Sequence, residues 1–566
     1  MANLNDYKLL SQKSLRYFDL ISKEFDIDHD KIDEINQARF GFYYYVLELI
    51  TGNSDISEIN EMITDMDYNA KLFRKPNQDF GIDAIFIDDD KHTIQLFNFK
   101  YRESFNPDKE QNLNESIASL KFINSIMNNN ITDFKGKIKT FAQSIINNIK
   151  SNEIWNIELY IISNENKTLS PSISDFKNIK DIYDIETITI GLNELKKYMS
   201  LRPKPINSIV HLSNDALFPF EESSRSSSKS FVIRLSASEL IRITCDDEQL
   251  RNNYNLEDYS ILSSHELDYD VLFDNVRGFI VKSKFNEKMF ETLLNEPEKF
   301  FMYNNGLTIT ASKIISEDTN TKTKTKLTLQ DLQIVNGGQT LRTIHSFNKL
   351  STDNIFKLSN CQILIRIFET IPESTTKSNI AEYTNSQNSI NIKDLKSLAS
   401  EQIAIEEYCD DKGIIYSRKN GDTGFPDKSY RRKISMEKTG QILYSIYGSP
   451  ERASNYKKEI FSKYYDSLFN NPDYNVEFIT KSIISYFEIK QAYKKSKYKI
   501  SEQKVFYILY LHNLIPLDDY VKEISFFETE LSTFKSEEKD ARKLILSSFK
   551  DTITKSYKKT FKNNCK

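Results

Sequence analysis

Glycine and proline are scarce in this chain, at 14 and 12 of 566 residues. Glycine, at about 2.5%, stands well under its usual ~7% share. Each glycine that remains therefore points more strongly to a special backbone position. Cysteine is scarcer still: Cys245, Cys361, Cys409 and Cys565 lie far apart and form no CxxC pair. The six histidines show no ligand spacing beside them. A disulfide framework and a structural zinc site are excluded on those grounds. No apolar run reaches the ~18 residues of a membrane span. The start, Met-Ala-Asn-Leu-Asn-Asp, has neither a basic leader nor an apolar stretch. The expectation is a soluble, cytoplasmic protein with no membrane partner. Excess positive charge is missing too, since 76 Lys and Arg face 81 Asp and Glu for a net −5. Any nucleic-acid contact must then be a local patch. Ser-His-Asp arrangements, Walker loops and HExxH strings are absent.

Aromatics are plentiful instead, with 37 Phe and 31 Tyr. Rings that bury ~150–250 Å² each offset the entropy of ordering, which argues against a largely disordered chain. At about 150 residues per domain, the length implies two to four domains. The clearest linker is the polar run from Glu221 to Ser230, which follows the turn-like Phe218-Pro219-Phe220. Upstream, an apolar helical stripe runs through Phe40, Tyr43, Leu47 and Ile50. Strands are expected at Gly81–Asp88 and Thr93–Tyr101, a helix at about 110–128, and strands at 157–162 and 186–190. A helix from Leu192 to Met199 follows. This order suggests a mixed sheet with flanking helices. The stretch from about 470 reads as helical, with basic-aromatic pieces around Tyr493 and Tyr557.

Strand alternation puts Asn98 and Lys100 on one face. Asp83 begins the neighbouring strand after Gly81-Ile82. An Asp on one strand and an acceptor-x-Lys on the next suits a metal-dependent phosphodiesterase. Oxygen ligands hold Mg²⁺, the metal polarises phosphate and activates water, and the lysine stabilises charge. The same residues also describe a strand with an exposed Asn and Lys beside a turn Asp. The pieces Asp79-Phe-Gly-Ile-Asp83 and Phe97-Asn-Phe-Lys100-Tyr resemble the PD-(D/E)xK nuclease superfamily, particularly its Mrr-like restriction endonuclease branch. That resemblance implies catalytic residues Asp83, Asn98 and Lys100, and metal ligands Asp83 and Asn98 for Mg²⁺ or Mn²⁺. Glu48 would be the acidic residue of the first helix, in both the catalytic and the ligand set. Asn98 stands where the superfamily has Glu, Asp or Gln, so the site loses one formal negative charge.

Residues 270–450 hold a second series of strings. They are Asp274-Asn-Val-Arg-Gly, Asn304-Asn-Gly306, Asn336-Gly337-Gly338-Gln339-Thr340-Leu-Arg342, Thr384-Asn-Ser-Gln-Asn388, Tyr416-Ser-Arg418-Lys419 and Tyr447-Gly-Ser-Pro450. Taken together and in order, they resemble the AIPR (abortive infection phage resistance) family, whose name implies a bacterial antiphage role. Strands at 307–315 and 326–335 should form a hairpin, with a helix from Gln339. A strand running through a glycine pair into a helix N-terminus suits a phosphate or nucleotide. Asn336, Gly337, Gly338, Gln339, Thr340 and Arg342 are its candidate residues, although the same string also fits a tight glycine turn. It faintly resembles the Asp-Gly-Gln-His-Arg element of ParB-like nucleotide-binding domains, with Thr340 and Leu341 in place of His-Arg. Arg418, Lys419, Arg431 and Arg432 form the best basic patch for a nucleic-acid backbone, or else a solvated face.

The fold expected is α/β (α+β). It comprises a nuclease-like mixed sheet over 1–205, a linker at 206–230, an α+β AIPR region over 231–470 and a helical part over 471–566. The function expected is a Mg-dependent endonuclease of antiphage defence, with the AIPR region sensing, binding or gating. The alternative is a non-catalytic nucleic-acid or nucleotide-binding module. Expected partners are nucleic acid, with DNA favoured over RNA, a second copy in a homodimer, and a phage-derived or protein trigger.

Overall fold

The computed structural model describes residues 2–75, 78–170, 172–199, 205–220, 229–272, 284–318, 323–370, 380, 396–397, 399–425, 427–536 and 540–561. The chain divides into two compact units, Met1–Asn385 and Ser386–Lys566. Each mixes helices with small sheets, so the class is α+β, with helices at the C-terminus. Among the described residues no helix is long and apolar enough to cross a membrane.

The first unit begins with α1 (Leu4–Phe25), α2 (Glu34–Thr51), α3 (Ile56–Met62) and α4 (Met66–Phe73). Strands β1 (Ala84–Asp88) and β2 (Thr93–Lys100) follow, then α5 (Leu113–Met127), α6 (Gly136–Ile149) and β3 (Asn156–Ser163). Next come α7 (Ser174–Tyr183), β4 (Glu186–Ile190) and α8 (Leu192–Leu195). The sheet order is β1-β2-β3-β4, with β1 antiparallel to β2 and the other pairs parallel. Strand β2 is buried on both faces, as a central strand must be. Ile94 and Leu96 pack with Phe122, Ile123 and Ile138 beneath α5 and α6. On the other face Phe99 stacks on Tyr43 of α2, with ring centres 4.7 Å apart. Helix α2 is apolar nearly all round and is buried accordingly.

The same unit continues with β5 (Ser208–Ser213), β6 (Leu217–Phe220) and β7 (Ser230–Ser236). Within the stretch expected as a linker, Ser208–Ser213, Leu217–Phe220 and Ser230 are thus strand, and residues 221–228 lie outside those described. Helices α9 (Ala237–Thr244), α10 (Glu248–Asn252), α11 (Lys284–Asn295) and α12 (Phe300–Tyr303) lead to β8 (Leu307–Ala311) and β9 (Lys313–Asp318). Then come β10 (Lys324–Gln330), β11 (Gln333–Asn336), α13 (Gly338–Leu350), α14 (Asn354–Asn360) and β12 (Gln362–Glu369). The expected hairpin at 307–335 is divided between two sheets. Strands β9 and β10 pair in the order β5-β10-β9, whereas β8 and β11 belong to β11-β8-β12-β7-β6. The switch falls at Ser312 and at Asp331, whose left-handed φ of 51° breaks the ladder.

In the second unit a parallel ribbon, β13 (Ile414–Ser417) and β14 (Arg432–Ser435), lies among helices. Helices Ser400–Asp411, Met436–Ile446, Val476–Lys495, Glu502–Leu514, Tyr520–Thr533 and Ser547–Thr560 enclose one core. Tyr493 and Tyr557 are buried in it. The piece around Tyr557 is therefore part of an amphipathic helix and the one at Tyr493 runs over a helix C-terminus, each with its tyrosine in the core and its lysines exposed.

Candidate active site

The turn before β1 is held in place by its own polar groups. Gly81 has φ 80°, and a Cβ there would lie 2.6 Å from the Ala118 carbonyl carbon of α5, so only glycine fits. Its carbonyl accepts hydrogen bonds from Asn98 Nδ2 at 2.9 Å and Ser119 Oγ at 2.8 Å. Asp83 N donates to Phe97 O at 2.8 Å, extending the β1–β2 ladder by one residue. The next ladder acceptor would be Gly81 O, which is already taken. The Asp83 carboxylate replaces it and accepts the Phe99 N–H at 2.5 Å. Lys100 Nζ lies 4.0 Å from the same oxygen. The structure thus brings together Asp83, Asn98 and Lys100.

Two further carboxylates join them. Asp65 caps α4 by accepting the Tyr68 N–H, and the N–H groups of Thr64 and Asp65 both donate to Asp83 O, at 2.8 and 3.0 Å. Asp79 accepts from Met66 N at 3.0 Å and Gly81 N at 2.9 Å. One oxygen each from Asp65, Asp79 and Asp83 lies within 4.8 Å of the others. Helix α2 supplies Arg39 and Tyr43, one turn apart, whose guanidinium and hydroxyl contact Asp65 at 2.8 and 3.2 Å. Arg39, Tyr43, Asp65 and Asp79 are absent from the sequence-based set. Asp79 stands in the quoted Asp79–Asp83 string, and Asp65 shows only as a cap-type residue before a helix.

Glu48 is placed elsewhere. It is fully buried and accepts the Tyr17 hydroxyl at 2.6 Å, between α1 and α2. Five residues beyond Tyr43, it sits about 7.5 Å along the helix and roughly 140° around it. Among the described residues the three-carboxylate group does not include it.

Burial pushes the Asp83 carboxyl up from 3.8 to about 7. Lys100 and the Phe99 N–H oppose that shift, while Asp65 and Asp79 add to it. Three carboxylates this close are relieved either by a proton on one of them or by cations, and hard oxygen donors suit Mg²⁺ or Mn²⁺. Asn98 fits the same requirement. Its amide nitrogen is committed to Gly81 O, and among the described residues its buried Oδ1 has no donor. An acceptor-only oxygen against the turn that carries Asp79 and Asp83 is compatible with a cation site.

The other expected sites fall as follows. Strand β11 ends at Asn336, Gly337 has φ 87°, and α13 starts at Gly338, as the strand–glycine–helix reading expects. Gly338, Gln339 and Thr340 are buried there, and Arg342 is half-buried one turn in. The four basic residues do not form one patch. Parallel pairing matches Ile414 with Arg432 and Ser417 with Ser435. Arg418 and Lys419 therefore leave one end of the ribbon while Arg431 and Arg432 enter the other, about 13 Å away at ~3.3 Å per residue. Arg418 is occupied by Glu406, at 2.7 and 3.0 Å, and by Ser397 O. Arg432 lies over the Phe487 ring at 4.7 Å, and Arg431 is exposed. The strings at 274–278 and 384–388 lie outside the described residues.

No curated protein and no solved structure matches the chain. A family model described as AIPR protein matches residues 272–561, just over half of the sequence, and the chain belongs to the AIPR family.

Proposed function

We propose that this protein serves antiphage defence as a metal-dependent nuclease, with the reaction in residues 1–205 and the AIPR region sensing or gating it. The family name supports the defence role. The observation that carries the nuclease reading is the convergence of Asp65, Asp79 and Asp83 within 4.8 Å, with Lys100 4.0 Å from Asp83. Asp83 immediately precedes β1, and Asn98 and Lys100 lie on β2, in a Gly-Ile-Asp…Asn-x-Lys order that resembles PD-(D/E)xK nucleases. Asp83, Asp65, Asp79 and the Asn98 amide oxygen would hold Mg²⁺ or Mn²⁺. Bound there, the metal supplies Lewis-acid polarisation of a phosphodiester and a water of lowered pKa. Lys100 favours ionised Asp83 and offers a cation to developing phosphate charge. Arg39 and Tyr43 orient Asp65. DNA is the proposed substrate, and two copies of the chain would pair their sites for double-strand cutting.

The test is cleavage of plasmid DNA and of RNA with Mg²⁺ or Mn²⁺ by wild type, Asp83→Ala, Asp65→Asn and Lys100→Ala. Wild-type cleavage lost in the variants supports the reading. Cleavage undiminished in Asp83→Ala and Lys100→Ala removes these residues from the chemistry. Asn98 motivates a second reading, in which the nuclease fold binds nucleic acid without cutting it. An inactive wild type that gains metal-dependent cleavage through Asn98→Glu would favour that reading. Strong wild-type cleavage would end it.

A further inference from the structure

The two Asn/Gly strings of the AIPR region meet in space. A Cβ on Gly337 would lie 2.8 Å from the carbonyl oxygen of Gly306 and from Leu307 Cγ. Gly306 itself has φ 76°, and a Cβ there would sit 2.1 Å from Leu364 O. Asn304 accepts the Gly306 N–H at 2.9 Å and donates to Thr340 Oγ at 3.2 Å. The loop before β8 is thereby fastened to the first turn of α13.

That turn is rich in donors and contains no acidic residue. Its N-cap is Gly337, which has no side chain to cap with, and the first turn holds no Asp or Glu. Asn336 Oδ1 accepts from Gly337 N at 2.7 Å, outside the helix, and Asn304 Oδ1 accepts from Gly306 N. An uncapped N-terminus alone would mean little. The independent observation is Gln339, the second helical residue, which is 9% exposed and whose buried Nε2 has no acceptor among the described residues. A helical Cα–Cβ bond leans toward the N-terminus, so this side chain sets out toward the uncapped N–H groups. One turn on, Arg342 also has a buried Nε without an acceptor among the described residues. Buried donors left without acceptors are costly. An anion with several oxygens satisfies backbone N–H groups, an amide and a guanidinium at once.

We propose that the first turn of α13 binds a phosphate group of a small ligand. The N–H groups of Gly338 to Thr340, Gln339 Nε2 and the Arg342 guanidinium would contact it. Asn336, Gly337 and Arg342 are only partly covered and form the approach, whereas Gly338, Gln339 and Thr340 are buried. Donors this deeply buried suit a free phosphorylated molecule better than a duplex backbone.

The experiment is calorimetric titration of the full chain in EDTA with inorganic phosphate, with ATP and with a short DNA duplex. EDTA keeps the acidic cluster out of the readout, and Asp83→Ala, expected to bind like wild type, separates this site from the nuclease reading. Phosphate or ATP is expected to bind wild type, with affinity about tenfold weaker or worse in Gln339→Met and in Arg342→Gln. Thermal melting shows whether each variant is folded, and the half-buried Arg342 serves if the Gln339 variant is not. Equal affinity in wild type and both variants overturns the proposal. So does an absence of phosphate and ATP binding to wild type, with or without duplex binding.

Discussion

Removing the Asp83 carboxylate should stabilise the metal-free protein at alkaline pH and leave it unchanged in acid. The folded carboxyl holds its proton up to about pH 7, whereas the unfolded one releases it near 3.8. Between those values the folded state binds more protons, so stability falls as pH rises through the window and levels off above it. The shift of about three pH units is worth about 4 kcal/mol. Asp83→Asn keeps an oxygen for the Phe99 N–H and removes the charge that Asp65 and Asp79 repel. At pH 8 in EDTA the variant should therefore gain up to about 4 kcal/mol, or roughly 4–8 °C in melting temperature for a unit of this size. At pH 4 the two proteins should coincide. Buried His345, pushed down to about 3 by burial, gives an opposite slope. The informative curve is therefore variant minus wild type, in which His345 cancels.

Metal should reverse the order. Mn²⁺ at about 100 times its Kd adds roughly 2.7 kcal/mol to wild type, and Asp83→Asn should lose most of that gain. Below pH 7 the proton competes for the same carboxylate, so apparent affinity should fall about tenfold per pH unit. Melting scans from pH 4 to 9, with EDTA and with Mn²⁺, measure every term. Parallel pH curves for the two proteins in EDTA, or an undiminished Mn²⁺ shift in Asp83→Asn, would refute the reasoning.

Glu48→Gln should cleave like wild type where Asp65→Asn does not, since Glu48 bonds Tyr17 and Asp65 belongs to the acidic group. Glu48→Ala should instead cost about 1–3 kcal/mol of stability, because it leaves the Tyr17 hydroxyl buried without that acceptor; paired cleavage assays and urea titrations check both. Arg418→Ala should cost roughly 2 kcal/mol without changing nucleic-acid affinity. That is less than the ~3–5 kcal/mol of a fully buried pair, because the Glu406 side chain keeps 31% of its surface exposed. Gly306→Ala should cost at least ~2 kcal/mol, from its left-handed φ and the Leu364 carbonyl 2.1 Å from the added Cβ. Denaturant titration would read it.

The legible part of the fold and of the site is the local part. Alternation in Thr93–Lys100 marks a strand, and it places Asn98 and Lys100 on one face without further information. Asp83 joins them because β1 and β2 are consecutive and antiparallel, so their pairing needs only a short turn. Asp65 arrives by a different route. Its approach depends on two backbone N–H groups reaching Asp83 O, and on one bridge between Ile63 and Ala84. Neither contact leaves a periodic trace. Glu48 shows the converse: a carboxylate on an apolar helix does need a partner, but Tyr17, 31 residues away, meets that need as well as a metal would.

The basic residues show why nearness in sequence is a weak guide to a surface patch. Had β13 and β14 formed a hairpin, Arg418-Lys419 and Arg431-Arg432 would flank one turn and their charges would add. The ribbon is parallel, so the chain from 418 to 431 must travel back along its length before β14 begins. Connections of a dozen or more residues are what parallel pairing demands. The spacing that suggests a cluster is thus the length needed to carry the second pair to the far end. Once separated, two of the charges find local uses: Arg418 neutralises Glu406 and Arg432 covers Phe487. Of the four, Arg431 is the exposed one. Of these four side chains it is therefore the one left to meet a nucleic-acid backbone.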